Sequence, residues 1–168
     1  MARLLSLRDS WRGFAFAAIA LFIVAADQLL KWWIRANLAP GEVLFDEGFF
    51  RIVHVQNTGA AFGFFKGYPV VFIFVDIIGI LLFLSLVTIF RRRWPVLDRM
   101  WVRAGIALLL GGTAGNLIDR LFFDGNVTDF LDFKVWPVFN VADSAVTVGV
   151  IILVFCIIFL AKSSGKRV

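Results

Sequence analysis

Four apolar runs, each about as long as a bilayer is thick, decide what this chain can fold into. A helix rises 1.5 Å per residue, so about 20 apolar residues cross a hydrocarbon core of ~30 Å. The runs fall at about 13–34, 69–90, 104–123 and 143–161. Of the 168 residues, 61% are hydrophobic, against about 45–50% in a soluble domain. A chain of this length cannot hide that excess in its own core, so lipid must solvate much of its surface. The expectation is one integral membrane domain over 1–168, all-α apart from a small β element.

The first run has a competing reading. Arg3, Arg8 and Arg12 precede the stretch Gly13–Val24, and Val24-Ala25-Ala26 resembles a small-residue cleavage site, the pattern of a removable signal peptide. Three further runs favour a retained span. Orientation follows from the cations. Eleven of the 17 Lys and Arg flank one set of ends: Arg3, Arg8 and Arg12, then Arg91, Arg92, Arg93, Arg99 and Arg103, then Lys162, Lys166 and Arg167. The positive-inside rule puts both termini and the 91–103 loop in the cytoplasm, and 35–68 and 124–142 outside. Topology thus accounts for the net charge of +5. No basic stretch is interleaved with exposed aromatics, so nucleic acid is not an expected partner.

Cys156, the single cysteine, sits in an apolar run with no charge beside it and reads as a packing or lipid-facing residue. His54 is the only histidine, and no His/Cys/Glu cluster has metal-ligand spacing. Neither a His-based triad nor a metal or cofactor site is expected. The outer 35–68 stretch contains β-formers, Val43-Leu44-Phe45 and Phe49–Val55, around the turn signal Asp46-Glu47-Gly48. This predicts a hairpin within about 38–66. A lone hairpin is marginal in water, so it should rest on the membrane surface or on the helix ends. Phe62, Phe64, Phe65 and Tyr68 read as interfacial.

Polar residues at the edges of the runs carry the chemistry. A charge at mid-bilayer costs roughly 2.5–3.5 kcal/mol, so each needs a partner or a function. Asp27 and Lys31 are spaced i, i+4 and read as an ion pair. In Asn57-Thr58-Gly59-Ala60-Ala61-Phe62-Gly63 the small residues permit close backbone approach, and Asn57 suits a peptide backbone or a turn. Gly111 and Gly115 form a small-xxx-small face for tight helix packing. Packing does not explain Asn116, Asp119 and Arg120 in the last turns of the third run; a polar cavity or network would. Asp76, inside the second run, is expected to pair with Lys31 or Arg35 or to line the same cavity. Asn140 and Asp143 have the spacing of a capping box. Asp129, taken singly, reads as a loop aspartate. The two are 14 residues apart across Trp136-Pro137, a loop long enough to bring both carboxylates together, which is what an aspartyl peptidase needs.

In order along nearly the whole chain, Asp27-Gln28-x-x-Lys31, Asn57-x-Gly59-x-Ala61-Phe62, Gly111-Gly112-x-x-Gly115-Asn116-x-x-Asp119-Arg120, Val127-x-Asp129-Phe130 and Phe139-Asn140-x-Ala142-Asp143-Ser144 resemble the bacterial lipoprotein signal peptidases, signal peptidase II. The resemblance implies four transmembrane helices with an extracytoplasmic β-cradle and a short surface helix. It implies a monomeric enzyme of the bacterial inner membrane. Its substrates would be diacylglyceryl prolipoproteins, cut just before the lipidated cysteine, and it would be sensitive to globomycin-type inhibitors. By the same resemblance Asp129 and Asp143 are the catalytic pair. Asn57, Asn116, Arg120 and Asn140 bind or support substrate, and Asp27, Lys31 and Asp119 are structural. Asp76 matches no motif of the family. The alternative from another class is an ion-handling protein that uses Asp76, Asp119, Asp129 and Asp143 as a relay. It predicts carboxylates spread through the membrane depth. A purely structural membrane subunit is a third alternative.

Overall fold

A computed structural model describes residues 2–58 and 68–164. Its long helices are α1 (Ala2–Asn37), α2 (Pro69–Thr88), α3 (Met100–Phe122) and α4 (Val141–Ser164). Each contains a stretch long and apolar enough to cross a membrane. Strands β1 (Val43–Glu47) and β2 (Phe50–Asn57) follow α1, and β3 (Val127–Asp132) lies between α3 and α4. Two short 3-10 turns, Phe90–Arg92 and Pro95–Asp98, join α2 to α3. The Gly59–Gly63 part of the small-residue motif and Phe62, Phe64 and Phe65 lie outside the described residues. No surface helix beside the sheet occurs among the described ones.

α3 is the centre of the bundle. It packs against each of the other long helices and buries Val102, Ile106, Ala107 and Leu109 together with its glycines. The outer helices leave large apolar side chains uncovered, among them Leu21 and Phe22 on α1, Phe74 and Ile78 on α2, and Phe155 and Phe159 on α4. In water such surface would be untenable; in lipid it is solvated. With hydrocarbon outside, helices gain by close backbone approach rather than by apolar burial. The glycines provide it. A Cβ on Gly111 would lie 2.8 Å from the Ala20 carbonyl oxygen, and one on Gly115 would lie 2.7 Å from Asp27 Oδ2. One on Gly112 would run into the Ala142 carbonyl.

The sheet is antiparallel in the order β1-β2-β3. The hairpin predicted from sequence is present, but Asp46 and Glu47 continue β1, and the turn is Gly48-Phe49, with Gly48 at φ +56°. The third strand corrects the sequence reading, which had placed Asp129 in a loop: β3 pairs with β2 in the register Val55↔Asp129 and Asn57↔Val127. The sheet rests on helix ends. Ile34 from α1 and Leu38 just past its end pack with Phe130, flanked by Ile52, Leu131 and Val141. The chain then folds back through Lys134 (φ +61°), and Phe139 exchanges backbone hydrogen bonds with Leu131. That return sets the first turn of α4 beside β3.

Gly115→Ala is expected to lower stability by about 1–3 kcal/mol, because the new methyl must displace α1 or the buried Asp27 carboxylate. Gly13→Ala, where a Cβ meets nothing within 4 Å, is the control. Thermal unfolding in detergent micelles checks the contrast.

Candidate active site

An ionic cluster lies under the sheet end of the bundle. Asp27 and Lys31 form the i, i+4 pair read from the sequence, with Nζ 2.8 Å from Asp27 Oδ2 and both side chains fully buried. Lys31 Nζ also lies 3.3 Å from Asp119 Oδ2 and donates to Asn116 Oδ1 at 2.9 Å. An ammonium has three N–H groups, and these three acceptors match them. Both carboxylates have further donors. Asp27 Oδ1 accepts the Ala142 N–H at 2.9 Å, which caps α4 from α1. Asp119 Oδ2 accepts the Thr128 N–H at 2.9 Å, which ties α3 to β3. Arg35 reaches Asp119 and Thr128 Oγ1 while its guanidinium lies 4.0 Å over the Phe123 ring.

Lys31 fixes the orientation of the two amides above it. Because an ammonium can only donate, the Asn116 atom facing it is the carbonyl Oδ1. Asn116 Nδ2 therefore faces Asp143 and donates to its Oδ1 at 2.8 Å. Asn140 Nδ2 donates to Asn116 Oδ1 at 3.1 Å and to Asp129 Oδ1 at 2.7 Å. That leaves Asn140 Oδ1 to accept the Asp143 N–H at 2.9 Å, while Asp143 Oδ2 takes the Asn140 N–H at 3.4 Å. This is the expected capping box at the start of α4. Asp129 Oδ2 accepts from Asn57 Nδ2 at 3.0 Å, across the β2–β3 pair. Asn140 thus links the two aspartates, donating its amide to the Asp129 carboxylate and accepting the Asp143 N–H. Asp129 is 1% exposed. Burial, and then the nearby Asp143 charge, push its carboxyl up to about 7, against the hydrogen bonds from Asn57 and Asn140 and the pull of Lys31.

Asp129 and Asp143 both line a cleft of about 710 Å³. Its polar wall also holds Asn57, Asn116, Arg120, Ser144 and Thr147. The rest is apolar, including Phe72 from α2, Phe133 and Trp136 from the returning loop, and Val146 and Val148 from α4. Of the predicted site residues, Asp129, Asp143, Asn57, Asn116 and Arg120 reach this cleft. Asn140 lies fully buried behind it, with Asp27, Lys31 and Asp119 beneath. Of the alternatives open for Asp76, a partner in Lys31 or Arg35 or a place along the same cavity, the first does not hold: its Oδ2 accepts from Arg120 NH1, a cleft-lining residue, at 2.6 Å. Sequence reasoning missed Thr128 and Gln28 as members of the network. For Gln28 a signal existed, since it directly follows Asp27 at the end of an apolar run. Among the described residues no three His, Cys, Asp or Glu side chains converge as metal ligands would.

The family model described as signal peptidase (SPase) II matches residues 19–159. A lipoprotein signal peptidase of Moorella thermoacetica is 43% identical over 153 residues, which cover 90% of this chain and 98% of that one. One of Dehalococcoides mccartyi is 44% identical over 154 residues, covering 92% and 95%. A solved structure described as a bacterial membrane enzyme, determined in meso at 2.3 Å resolution, superposes with a TM-score of 0.77 at 30% identity, covering 92% of both chains.

The buried network can be tested without substrate. Lys31→Met leaves Asp27 and Asp119 without their shared cation and should cost about 3–5 kcal/mol, the scale for breaking a buried ion pair from one side. Asp27→Leu in the Lys31→Met background should recover part of that loss. Unfolding in micelles checks both.

Proposed function

The chain belongs to the signal peptidase II family, whose curated members are lipoprotein signal peptidases, and on that premise we propose that Asp129 and Asp143 form its catalytic pair. The observation that carries the assignment is that both carboxylates, brought from β3 and α4, line one cleft, Asp129 held there by Asn140 and Asp143 by Asn116. Two carboxylates so placed cannot both ionise cheaply, so one of the pair carries a proton. The charged member takes a proton from water, and the oxygen attacks the scissile carbonyl. The protonated member hydrogen-bonds that carbonyl oxygen. Collapse of the tetrahedral intermediate breaks the C–N bond as the leaving amine receives a proton from the pair. The products are the signal peptide carboxylate and the free amine of the following residue. No covalent intermediate forms.

The substrate in this reading is a diacylglyceryl prolipoprotein cut just before its lipidated cysteine. The apolar side of the cleft takes acyl chains that remain in lipid, while Asn57, Asn116 and Arg120 hold the peptide extended. The arginine-rich end between α2 and α3 faces the cytoplasm with both termini, and the sheet end faces out. The enzyme acts as a monomer in the bacterial inner membrane, and globomycin-type inhibitors compete for the same cleft. A proton relay fits less well: Asp76 is paired with Arg120, and Asp119 with Lys31 and Arg35.

Asp129→Asn and Asp143→Asn should each lower the rate of cleavage of a diacylglyceryl-cysteine peptide by about 10²–10⁴-fold or more, with unchanged unfolding temperature; full activity in either folded variant refutes the pair. The pH profile gives a second check. Catalysis needs the proton that Asp129 retains up to about 7, so kcat/KM, which reports the free enzyme, should fall as pH rises through that value. Asn57 stabilises the ionised form. Asn57→Ala should therefore move the falling limb to higher pH.

A further inference from the structure

Asp76 is an intramembrane carboxylate that the peptidase reading leaves without a task. It lies in α2, seven residues beyond Pro69, or about 10 Å below the first residue of that helix. Its partner, Arg120, stands two residues before the end of α3. A long cationic side chain in that place has two reasons to swing toward the water beyond the helix end. Arginines near span ends extend to the interface, and the terminal carbonyls of the helix attract cations. Arg120 instead points back along the cleft wall. NH1 donates to Asp76 Oδ2 at 2.6 Å, and the side chains of the pair are only 10% and 13% exposed. Phe72, four residues before Asp76 and so on the same face of α2, lies 5.3 Å from the guanidinium carbon. One side chain of α2 thus takes the edge of the cation and another takes its face.

We propose that Asp76 is a positioning residue for substrate binding: it holds the Arg120 guanidinium in the cleft, where that cation engages carbonyl oxygens of the lipid-modified segment. The proposal rests on the peptidase reading. A guanidinium carries five N–H donors in a planar fork, and one carboxylate satisfies at most two of them. The remaining donors belong to a group that lines the cleft alongside Asp129 and Asp143. Ester and amide carbonyls, which accept but carry no charge, are the chemistry that suits spare donors on a cation whose charge Asp76 already balances. Phe72 also lines the cleft, so the cradle and the binding surface are the same wall.

The test uses the full chain in micelles with a diacylglyceryl-cysteine peptide. Asp76→Asn should raise KM about tenfold, the scale of one lost charge-assisted hydrogen bond, with kcat within about twofold. Asp76→Glu should restore KM to within about threefold. In an Arg120→Gln background, Asp76→Asn should change KM by less than about twofold, because the residue it positions is gone. If Asp76→Asn leaves KM unchanged, or if its effect multiplies fully with that of Arg120→Gln, the proposal is overturned. Should Asp76→Asn fail to fold, the double variant Asp76→Leu/Arg120→Leu replaces the pair with apolar groups of similar bulk, a change that buried pairs often tolerate. That variant should fold with a raised KM, and a normal KM there is equally fatal. A parent chain that cannot cleave the peptide sinks the peptidase reading itself, whereas an active parent with an indifferent Asp76 sinks only this inference.

Discussion

A single buried ammonium organises the sheet end of this molecule. Lys31 lies where neither water nor lipid can solvate a charge, and it is stable there because Asp27, Asp119 and Asn116 surround its three N–H groups. Those partners come from α1 and α3. Through Asp27 Oδ1 and the Ala142 N–H the same cluster also fixes α4. Hydrocarbon offers helices little reason to choose one neighbour over another. Glycine contacts permit close approach of α3 to α1 and α4, but it is the charge cluster that specifies which residues meet. Lys31 is the member the cluster depends on: without it Asp27 keeps no cation, and Asp119 keeps only Arg35.

The second consequence of Lys31 is directional. Amides have two ends, and a pair of asparagines beside two aspartates could in principle be arranged several ways. The ammonium turns the Asn116 oxygen toward itself, which turns the nitrogen toward Asp143. Asn140 follows, with its nitrogen toward Asp129 and its oxygen toward the Asp143 N–H. A charge that touches neither aspartate thereby decides which donors each receives. Asp129 gains a nitrogen donor from Asn140 and another from Asn57, yet burial dominates and favours its protonated form. The lone donors are too few to offset the loss of water. A proton is thus retained where a mechanism of shared protonation needs one.

How much of this was legible in the sequence depends on whether the interaction is local. The Asp27–Lys31 pair and the Asn140–Asp143 cap are spaced by four and three residues, so helical periodicity alone reveals them. The glycines of α3 announced close packing, though not which helices would come close. The third strand was not legible. Val127–Asp132 has two aspartates in six residues and no turn signal that pairs it with the hairpin, and only β2, some seventy residues earlier in sequence, makes it a strand. Asp76 failed for a related reason. The sequence offers Lys31 and Arg35 of α1 as cations for it, whereas α2 packs chiefly against α3 and brings Arg120 to it instead. The positions that resisted prediction are those whose partners are set by packing between elements.

That division also explains where the cleft sits. α1, α3 and α4 are bound together by glycine contacts and by the Lys31 cluster. α2 takes no part in the Lys31 cluster: it is almost wholly apolar, and its one charge, half-buried, faces α3. A wall made of such a helix can border a cavity without breaking a network, because lipid and acyl chains are equivalent solvents for its surface. The opposite wall must be rigid, since it carries Asn116 and Asp143. The bundle therefore places its rigid, charged side and its lipid-compatible side across the cleft from one another. The lipid-modified peptide proposed as substrate would need both, the first to orient a bond for hydrolysis and the second to accept its acyl chains.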